Sequence, residues 1–292
     1  MNAKSDLRSL GEQVIARVSN PEHRRRLENM VVSPALLDTY KYRDLPGGVS
    51  ETALCQRAID VGKPIMLVGP AGSGKTLMPF AFAAATGLPL AVNEGHNGFD
   101  PEQFLAVRWQ DEETGRWGMT EADIALVWRY GGVVLNDEIG RIPAKSQGVM
   151  FPMFDARRRL TMPSKEVVKA ADTLLIVSTT NPPSYAGVSE MDEAMTDRHS
   201  PVLDWGYDPK VEAALIQSKS LLKMAQETRD RGDLEGPMST RNLEEFEDLV
   251  LSLGWEFGRA GLLGRFVDYE RLIVAGVLDN WAPKIKAELG VS

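Results

Sequence analysis

The stretch PIMLVGPAGSGKT, residues 64–76, contains the feature that decides the fold. An apolar run at 64–68 predicts a β-strand, and the residues after 76 have a helical pattern. Between them, residues 69–76 match the pattern G-x-x-x-x-G-K-[ST], whose glycines let several main-chain N–H groups point at phosphate oxygens. The start of the following helix adds its positive end. We therefore predict a phosphate cradle made of Gly69, Pro70, Ala71, Gly72, Ser73, Gly74, Lys75 and Thr76.

A second stretch, VVLNDEIG at residues 133–140, ends an apolar run at two adjacent carboxylates, Asp137 and Glu138. A buried anion pair is costly unless a cation meets it. Beside such a cradle, the lysine neutralises the β- and γ-phosphates, while the Thr hydroxyl and an acid on a neighbouring strand hold Mg²⁺. We therefore assign Thr76 and Asp137 to Mg²⁺ and Glu138 to the base that activates water. Without the cradle upstream, the same acids would equally well begin a surface loop.

A third polar residue, Asn181, ends the apolar run LLIVSTT at residues 174–180. Its amide is suited to a hydrogen bond with the γ-phosphate or with the attacking water. The alternative is a purely structural role, in which Asn181 caps the turn before Pro182. A second acid beside the metal-binding acid favours hydrolysis over binding alone, because water is a poor nucleophile that needs a base. The sequence thus predicts an enzyme that hydrolyses ATP with Mg²⁺.

Short apolar runs alternate with helical stretches along much of the chain, which indicates an α/β fold with a parallel sheet covered on both faces. Two excursions have the pattern of hairpins, with turns near 113–115 and 163–164. After Pro209 only helical periodicity remains. We predict an N-terminal helical segment at 1–44, an α/β nucleotide-binding core at 45–207 and an all-helical lid at 208–292. The predicted strands are 64–68, 89–93, 132–136, 173–179 and 201–205.

The order of these motifs resembles that of AAA+ ATPases, and within them the MoxR-like group that includes CbbQ and NorQ. GPAGSGKT matches the Walker A motif and VVLNDEIGR the Walker B motif. RRLTMPSKEVVKAADTLLIVSTTNP is similar to the hairpin that leads into the sensor 1 asparagine. MDEAMTDRHSPVLDW resembles the segment with an arginine finger, and MSTRNLEEF the sensor 2 segment. The resemblance implies a P-loop core with a five-stranded parallel sheet, followed by a small helical lid.

Carried over by position, the resemblance makes Asn181 sensor 1, Arg198 the arginine finger and Arg241 sensor 2. An arginine finger stabilises charge on the γ-phosphate in the transition state, and it often comes from a neighbouring subunit. The resemblance therefore implies a homo-oligomer, a hexameric ring, that remodels or activates a partner as a chaperone does. It also implies a separate protein client or a von Willebrand factor A domain adaptor. Asn136, His199 and Ser200 depart from the group's usual residues.

Composition limits the alternatives. The formal net charge is −8, so a nucleic-acid-associated AAA+ motor is less favoured than a protein remodeller, although the basic cluster at 23–26 leaves it open. A small-molecule kinase or a nucleotide-gated binding module is the third hypothesis. The polar first residues, the short apolar runs and the single cysteine predict a cytoplasmic protein without a membrane span.

Overall fold

The computed structural model describes residues 3–162, 164–183, 191, 193–231, 234 and 238–291. The helices are α1 (Ala3–Ala16), α2 (Pro21–Asn29), α3 (Leu36–Thr39), α4 (Glu51–Val61), α5 (Leu77–Thr86), α6 (Asp123–Tyr130), α7 (Ala144–Gln147), α8 (Phe151–Phe154), α9 (Glu193–Asp197), α10 (Pro209–Leu215), α11 (Lys219–Arg229), α12 (Thr240–Leu253), α13 (Trp255–Leu263) and α14 (Asp268–Leu289). The strands are β1 (Asp44–Leu45), β2 (Val49–Ser50), β3 (Ile65–Val68), β4 (Leu90–Glu94), β5 (Ala106–Gln110), β6 (Trp117–Glu121), β7 (Gly132–Asp137), β8 (Arg159–Thr161), β9 (Val167–Lys169), β10 (Leu174–Thr180) and β11 (Val202–Asp204).

Five of these strands form a parallel sheet in the order β11-β3-β10-β7-β4. They are the five strands that the apolar runs predict, within one or two residues at each end. Every residue of β10 is buried, as are all but the last of β7, because helices cover both faces of the sheet. The predicted α/β class and the five-stranded parallel core are thus confirmed.

Both predicted hairpins are present as antiparallel pairs, β5 with β6 and β8 with β9. In the first, Trp109 lies opposite Gly118 and its ring occupies the space that a Cβ there would need. Its indole Nε1 donates to Thr120 Oγ1 at 3.0 Å. Trp117 is instead 72% exposed, so it is not the aromatic that packs this hairpin. Of the second predicted turn, Pro163 lies outside the described residues.

The chain divides into two compact units. The first comprises 1–40, 44–69 and 74–204, and the second 41–43, 70–73 and 205–292. The second unit is helical after 208 and has its own apolar core, whose largest buried side chains include Phe246 and Trp255 in edge-to-face contact. Among the described helices, none is both long and apolar enough to cross a membrane.

Candidate nucleotide site

The candidate site lies at the carboxyl edge of the sheet. In parallel strands the carboxyl ends meet at the same edge, and here β10 runs between β3 and β7. The register pairs Thr180 with Val68 and Ser178 with Asn136, which places the ends of these three strands side by side. Gly69 after β3, Asp137 at the end of β7 and Asn181 after β10 therefore lie at the same edge.

The partners of Lys75 at this edge include two neutral oxygens. Its Nζ donates to the carbonyl oxygen of Gly69 at 2.8 Å and to Oδ1 of Asn181 at 2.9 Å. The lysine is 7% exposed and Asn181 is 6% exposed. A buried ammonium is costly, and a phosphate anion would compensate it far better than amide oxygens do. The direct bond also shows that the cradle lysine and Asn181 face the same space.

Asp137 and Thr76 have the chemistry of a magnesium site. Thr76 Oγ1 lies 3.0 Å from both carboxylate oxygens of Asp137, and Thr179 Oγ1 donates to Oδ1 of the same group. A carboxylate and a hydroxyl are the hard oxygen ligands that Mg²⁺ prefers when it also binds phosphates. These residues therefore fit a nucleotide-bound Mg²⁺, with Thr76 and Asp137 as the direct or water-mediated holders.

Thr179 is a site residue that the sequence reasoning missed. Besides its bond to Asp137, its hydroxyl accepts from the main-chain N–H of Glu138 at 3.0 Å. One threonine on β10 thus orients both acids of β7. The available signal was its place two residues before Asn181 in STTN, since that position faces the acid on the neighbouring parallel strand.

Glu138 leaves the strand in a left-handed conformation, with φ 51°. Its carboxylate pairs with Arg141 Nε at 2.8 Å, and both side chains are almost half exposed. The carboxylate is therefore accessible to water. To bind an attacking water it would give up an ion pair with Arg141 that, being exposed, contributes little free energy. Gly95 permits this backbone path, because an added Cβ there would lie 2.2 Å from the carbonyl oxygen of Glu138.

We predict that Gly95→Ala displaces the Glu138 peptide. The added methyl group has no room, so the free energy of unfolding should fall by about 1–3 kcal/mol and ATP turnover should fall with it. The control is Gly148→Ala, where an added Cβ meets nothing within 4 Å. Thermal unfolding and steady-state ATPase rates measure the two effects. Equal stability and turnover in both variants would contradict the tight packing at Gly95.

The two predicted arginines lie in different settings. Arg198 follows α9 and folds back on it, donating from Nη1 to the carbonyl oxygen of Ala194 at 2.6 Å. Its guanidinium lies 4.8 Å from the ring centre of Phe151. Arg241 is exposed in the first turn of α12, and its Cβ is 3.5 Å from the position a Cβ on Gly72 would take. The structure thus places Arg241 beside the loop and gives Arg198 contacts with α8 and α9.

Two of the unusual residues are buried and hydrogen-bonded. Asn136 is fully buried, and its Oδ1 accepts from Asn93 Nδ2 at 3.2 Å. His199 is 4% exposed, with Nε2 2.8 Å from Ser178 Oγ and Nδ1 2.7 Å from the carbonyl oxygen of Met195. Burial lowers the pKa of His199 to about 4, so the ring is neutral at pH 7. Asn136 and His199 are therefore buried with hydrogen-bond partners where the group usually has other residues. Neither contact involves Asp137 or Glu138.

Comparison with protein families gives one domain match. Residues 64–199 match the AAA domain (dynein-related subfamily). The matched range begins one residue before β3 and ends just beyond Arg198. It therefore contains the cradle, both acids of β7 and Asn181.

Similar proteins come from several bacteria. Gas vesicle ATPase GvpN from Ancylobacter aquaticus is 26% identical over 192 residues, which is 59% of this chain and 53% of GvpN. Denitrification regulatory protein NirQ from Stutzerimonas stutzeri is 26% identical over 207 residues, which is 66% of this chain and 74% of NirQ. The match thus spans about half the length of GvpN. A solved structure of a putative ATPase from Cytophaga hutchinsonii aligns with 93% of this chain and with 86% of its own chain. The two chains are 16% identical, and the TM-score is 0.45.

Proposed function

We propose that this chain, whose residues 64–199 match the AAA domain (dynein-related subfamily), is an AAA+ ATPase of the MoxR-like type that hydrolyses Mg-ATP to remodel or activate a partner protein. The observation that supports hydrolysis best is the pairing of Lys75 with Asn181 beside the acids of β7. A cation for the phosphates, a residue for the γ-phosphate and a carboxylate for water then share one edge of the sheet. A binding module would need the first of these but not the last.

In the proposed mechanism the residues have separate roles. Main-chain N–H groups of 69–76 and the Lys75 ammonium bind the β- and γ-phosphates. Thr76 and Asp137 would hold Mg²⁺, which would neutralise charge on the phosphate oxygens. Glu138 accepts a proton from the attacking water, and Asn181 orients that water or the γ-phosphate. Thr179 keeps the two acids in place through its bonds to both.

The direct test is ATP turnover by the purified chain. Phosphate release should require Mg²⁺ and stop when EDTA is added in excess. If ATP binds but no phosphate is released under any magnesium concentration, the chain is a nucleotide-gated binding module. If phosphate instead appears on an added metabolite, it is a small-molecule kinase.

We further propose that the chain works as a ring of six copies, in which Arg198 completes the site of a neighbouring copy. The contacts of Arg198 are with Ala194 on α9 and Phe151 on α8, and neither residue belongs to the cradle. Head-to-tail contacts that repeat around an axis close into rings. Light scattering with and without ATP would give the number of copies, and a monomer at every concentration would contradict the ring.

We predict that Arg198→Ala lowers the turnover number by about 100-fold or more while ATP affinity changes little, since a finger acts on the transition state. Mixing Arg198→Ala with Glu138→Gln should restore part of the activity, because a mixed ring contains sites with both groups intact. Arg259→Ala is the control, since Arg259 forms an exposed ion pair with Asp279 on the helical unit. No recovery at any mixing ratio would contradict an arginine that acts between copies.

The two hairpins are the proposed contact for the client. The first exposes Val107, Trp109, Trp117 and Met119 by 47% to 72%, an unusual amount of apolar surface on one ribbon. Arg129 on α6 joins this hairpin to the second, with bonds to Glu121 at 2.5 Å and to Glu166 at 2.9 Å. These bonds raise the pKa of Arg129 above its usual range. The two ribbons are therefore tied to the helix that precedes β7 and its acids.

The kind of client is inferred from the type of ATPase. GvpN is named for gas vesicles and NirQ for denitrification, so similar chains serve different systems. We propose a separate protein client, reached directly or through a von Willebrand factor A domain adaptor. Purification from the native host with Glu138→Gln, which should hold client and ATP together, would identify it. Retention of the same proteins by a variant with Trp117→Ser and Met119→Ser would place the contact elsewhere.

The basic cluster at 23–26 gives little support to a nucleic-acid motor. Arg24 donates to the carbonyl oxygen of Val18 at 2.6 Å, and Arg26 pairs with Asp123 at 2.5 Å. Both guanidinium groups therefore have structural partners within the chain. An ATPase rate that rises with added DNA or RNA, and falls steeply with salt, would restore this alternative.

A further inference from the structure

We propose that Arg43 and Tyr207 are positioning residues for the phosphate cradle, which they hold from outside by binding two of its carbonyl oxygens. The inference rests on the proposed binding of ATP at 69–76. Neither residue lies in a recognised motif. Both belong to the helical unit, as do residues 70–73 of the loop, so every contact below lies within one compact unit.

Tyr207 fixes the peptide between Ala71 and Gly72. Its hydroxyl donates to the carbonyl oxygen of Ala71 at 2.9 Å. In a trans peptide the carbonyl and the following N–H point in opposite directions. With the oxygen of Ala71 held toward Tyr207, the N–H of Gly72 is directed away from Tyr207. Gly72 has φ +69°, a conformation that suits glycine and lets the loop turn at this point.

Arg43 fixes the peptide between Ser73 and Gly74 in the same way. Its Nη2 donates to the carbonyl oxygen of Ser73, so the N–H of Gly74 is directed the other way. Its Nη1 donates to the carbonyl oxygen of Gly206 at 2.7 Å, and its guanidinium lies 4.5 Å from the centre of the Trp205 ring. One planar guanidinium thus joins two backbone segments and stacks on a buried aromatic. Tyr207 and Arg43 therefore fix the directions of two N–H groups of the cradle, those of Gly72 and Gly74.

A buried ion pair supports Tyr207 from behind. The guanidinium of Arg229 lies 3.8 Å from the centre of the Tyr207 ring. Arg229 also binds both carboxylate oxygens of Glu212, at 2.7 and 2.9 Å, and both side chains are less than 10% exposed. Thr240 Oγ1 donates to Glu212 at 2.7 Å, and Arg229 Nε donates to the carbonyl oxygen of Met238 at 2.8 Å. Tyr207 is therefore fixed to the residues at which α12 begins.

The same start of α12 borders the loop. Ser239 caps the helix by accepting from the N–H of Asn242 at 3.2 Å. A Cβ added to Gly72 would lie 2.7 Å from Cβ of Ser239 and 3.5 Å from Cβ of Arg241. The loop carbonyls, the buried pair and the turn that carries Arg241 thus form one continuous set of contacts. A loop held this way needs little ordering when phosphate binds, and such preorganisation raises affinity.

The experiment measures ATP affinity and steady-state kinetics of Tyr207→Phe, which keeps the ring under Arg229 and removes only the hydroxyl. We expect the Kd and the KM for ATP to rise roughly three- to ten-fold, the effect of losing one hydrogen bond. The turnover number at saturating ATP should stay within about two-fold, because phosphate binding is lost equally from ground and transition states. The control is Tyr130→Phe, whose hydroxyl lies 3.0 Å from His23 Nδ1.

A second variant tests the other anchor. Arg43→Lys keeps the charge but loses the planar fork that places one nitrogen on each carbonyl oxygen while stacking on Trp205, so it should also raise KM more than it lowers the turnover number. Arg271→Lys is its control, since Arg271 donates to the carbonyl oxygens of Leu263 and Phe266. Unfolding temperatures without nucleotide should match within each pair.

The outcomes separate this inference from the proposed function. Wild-type affinity retained by both Tyr207→Phe and Arg43→Lys would overturn the positioning role alone. A fall in turnover and unfolding temperature with KM unchanged would show a general structural role and would also overturn it. Failure of the wild-type chain to bind ATP would overturn both.

Discussion

Replacing Lys75 with alanine is expected to weaken ATP binding by about 100-fold or more, the effect of removing one partner from a buried charge pair. The lysine is 7% exposed, and its Nζ is hydrogen-bonded to the carbonyl oxygen of Gly69 and to Oδ1 of Asn181. A phosphate group would form a charge-assisted hydrogen bond with this ammonium, which alanine cannot offer.

Titration of the purified variant with a fluorescent ATP analogue measures this loss, and thermal unfolding without nucleotide checks the fold. Wild-type protein should be stabilised by saturating ATP, because a ligand that binds only the folded state raises its stability. Lys75→Ala should lose that stabilisation. The control is Lys223→Ala, an exposed lysine of α11. If Lys75→Ala binds ATP as the wild type does, residues 69–76 are not the nucleotide site.

How far the sequence predicts this site depends on how local each contact is. The sheet strands could be predicted because burial on both faces makes each a continuous apolar run, and residues 69–76 because the pattern is contiguous. Asp137 and Asn181 could be predicted as site residues because each is the polar residue that ends an apolar run. Thr179 required the register of β7 against β10, a pairing of residues about forty positions apart that no single run reveals.

The outer anchors of the loop were still harder to predict. Arg43 contacts Ser73 and Gly206, and Tyr207 contacts Ala71 across 136 positions of sequence. Neither residue has a neighbour in the sequence that marks it, since an arginine before a turn and a tyrosine after a strand are common. Contacts of this kind become visible only when the chain is folded. Trp117 illustrates the opposite case: from the sequence alone a tryptophan here could either pack within the hairpin or face a client, and the structure gives the packing role to Trp109.

Replacing Glu138 with glutamine is expected to lower the turnover number by about 100- to 10,000-fold, the usual contribution of a general base. ATP affinity should stay near that of the wild type, because the amide has the same shape and the phosphates are bound by the cradle and Lys75. The backbone should also tolerate the change. The left-handed φ of Glu138 is supported by Gly95 and by the bond from its N–H to Thr179, neither of which involves the carboxylate.

Glu94→Gln is the matched comparison, because Glu94 is a carboxylate that ends β4 opposite Asp137 on the adjacent strand. Single-turnover hydrolysis of bound ATP separates chemistry from product release, and nucleotide retained on the variant measures binding. We expect Glu138→Gln to retain uncleaved ATP and Glu94→Gln to cleave it normally. The reverse pattern would show that Glu94 on β4, and not Glu138, is the general base. It would also mean that the Arg141 ion pair holds Glu138 away from water rather than leaving it accessible.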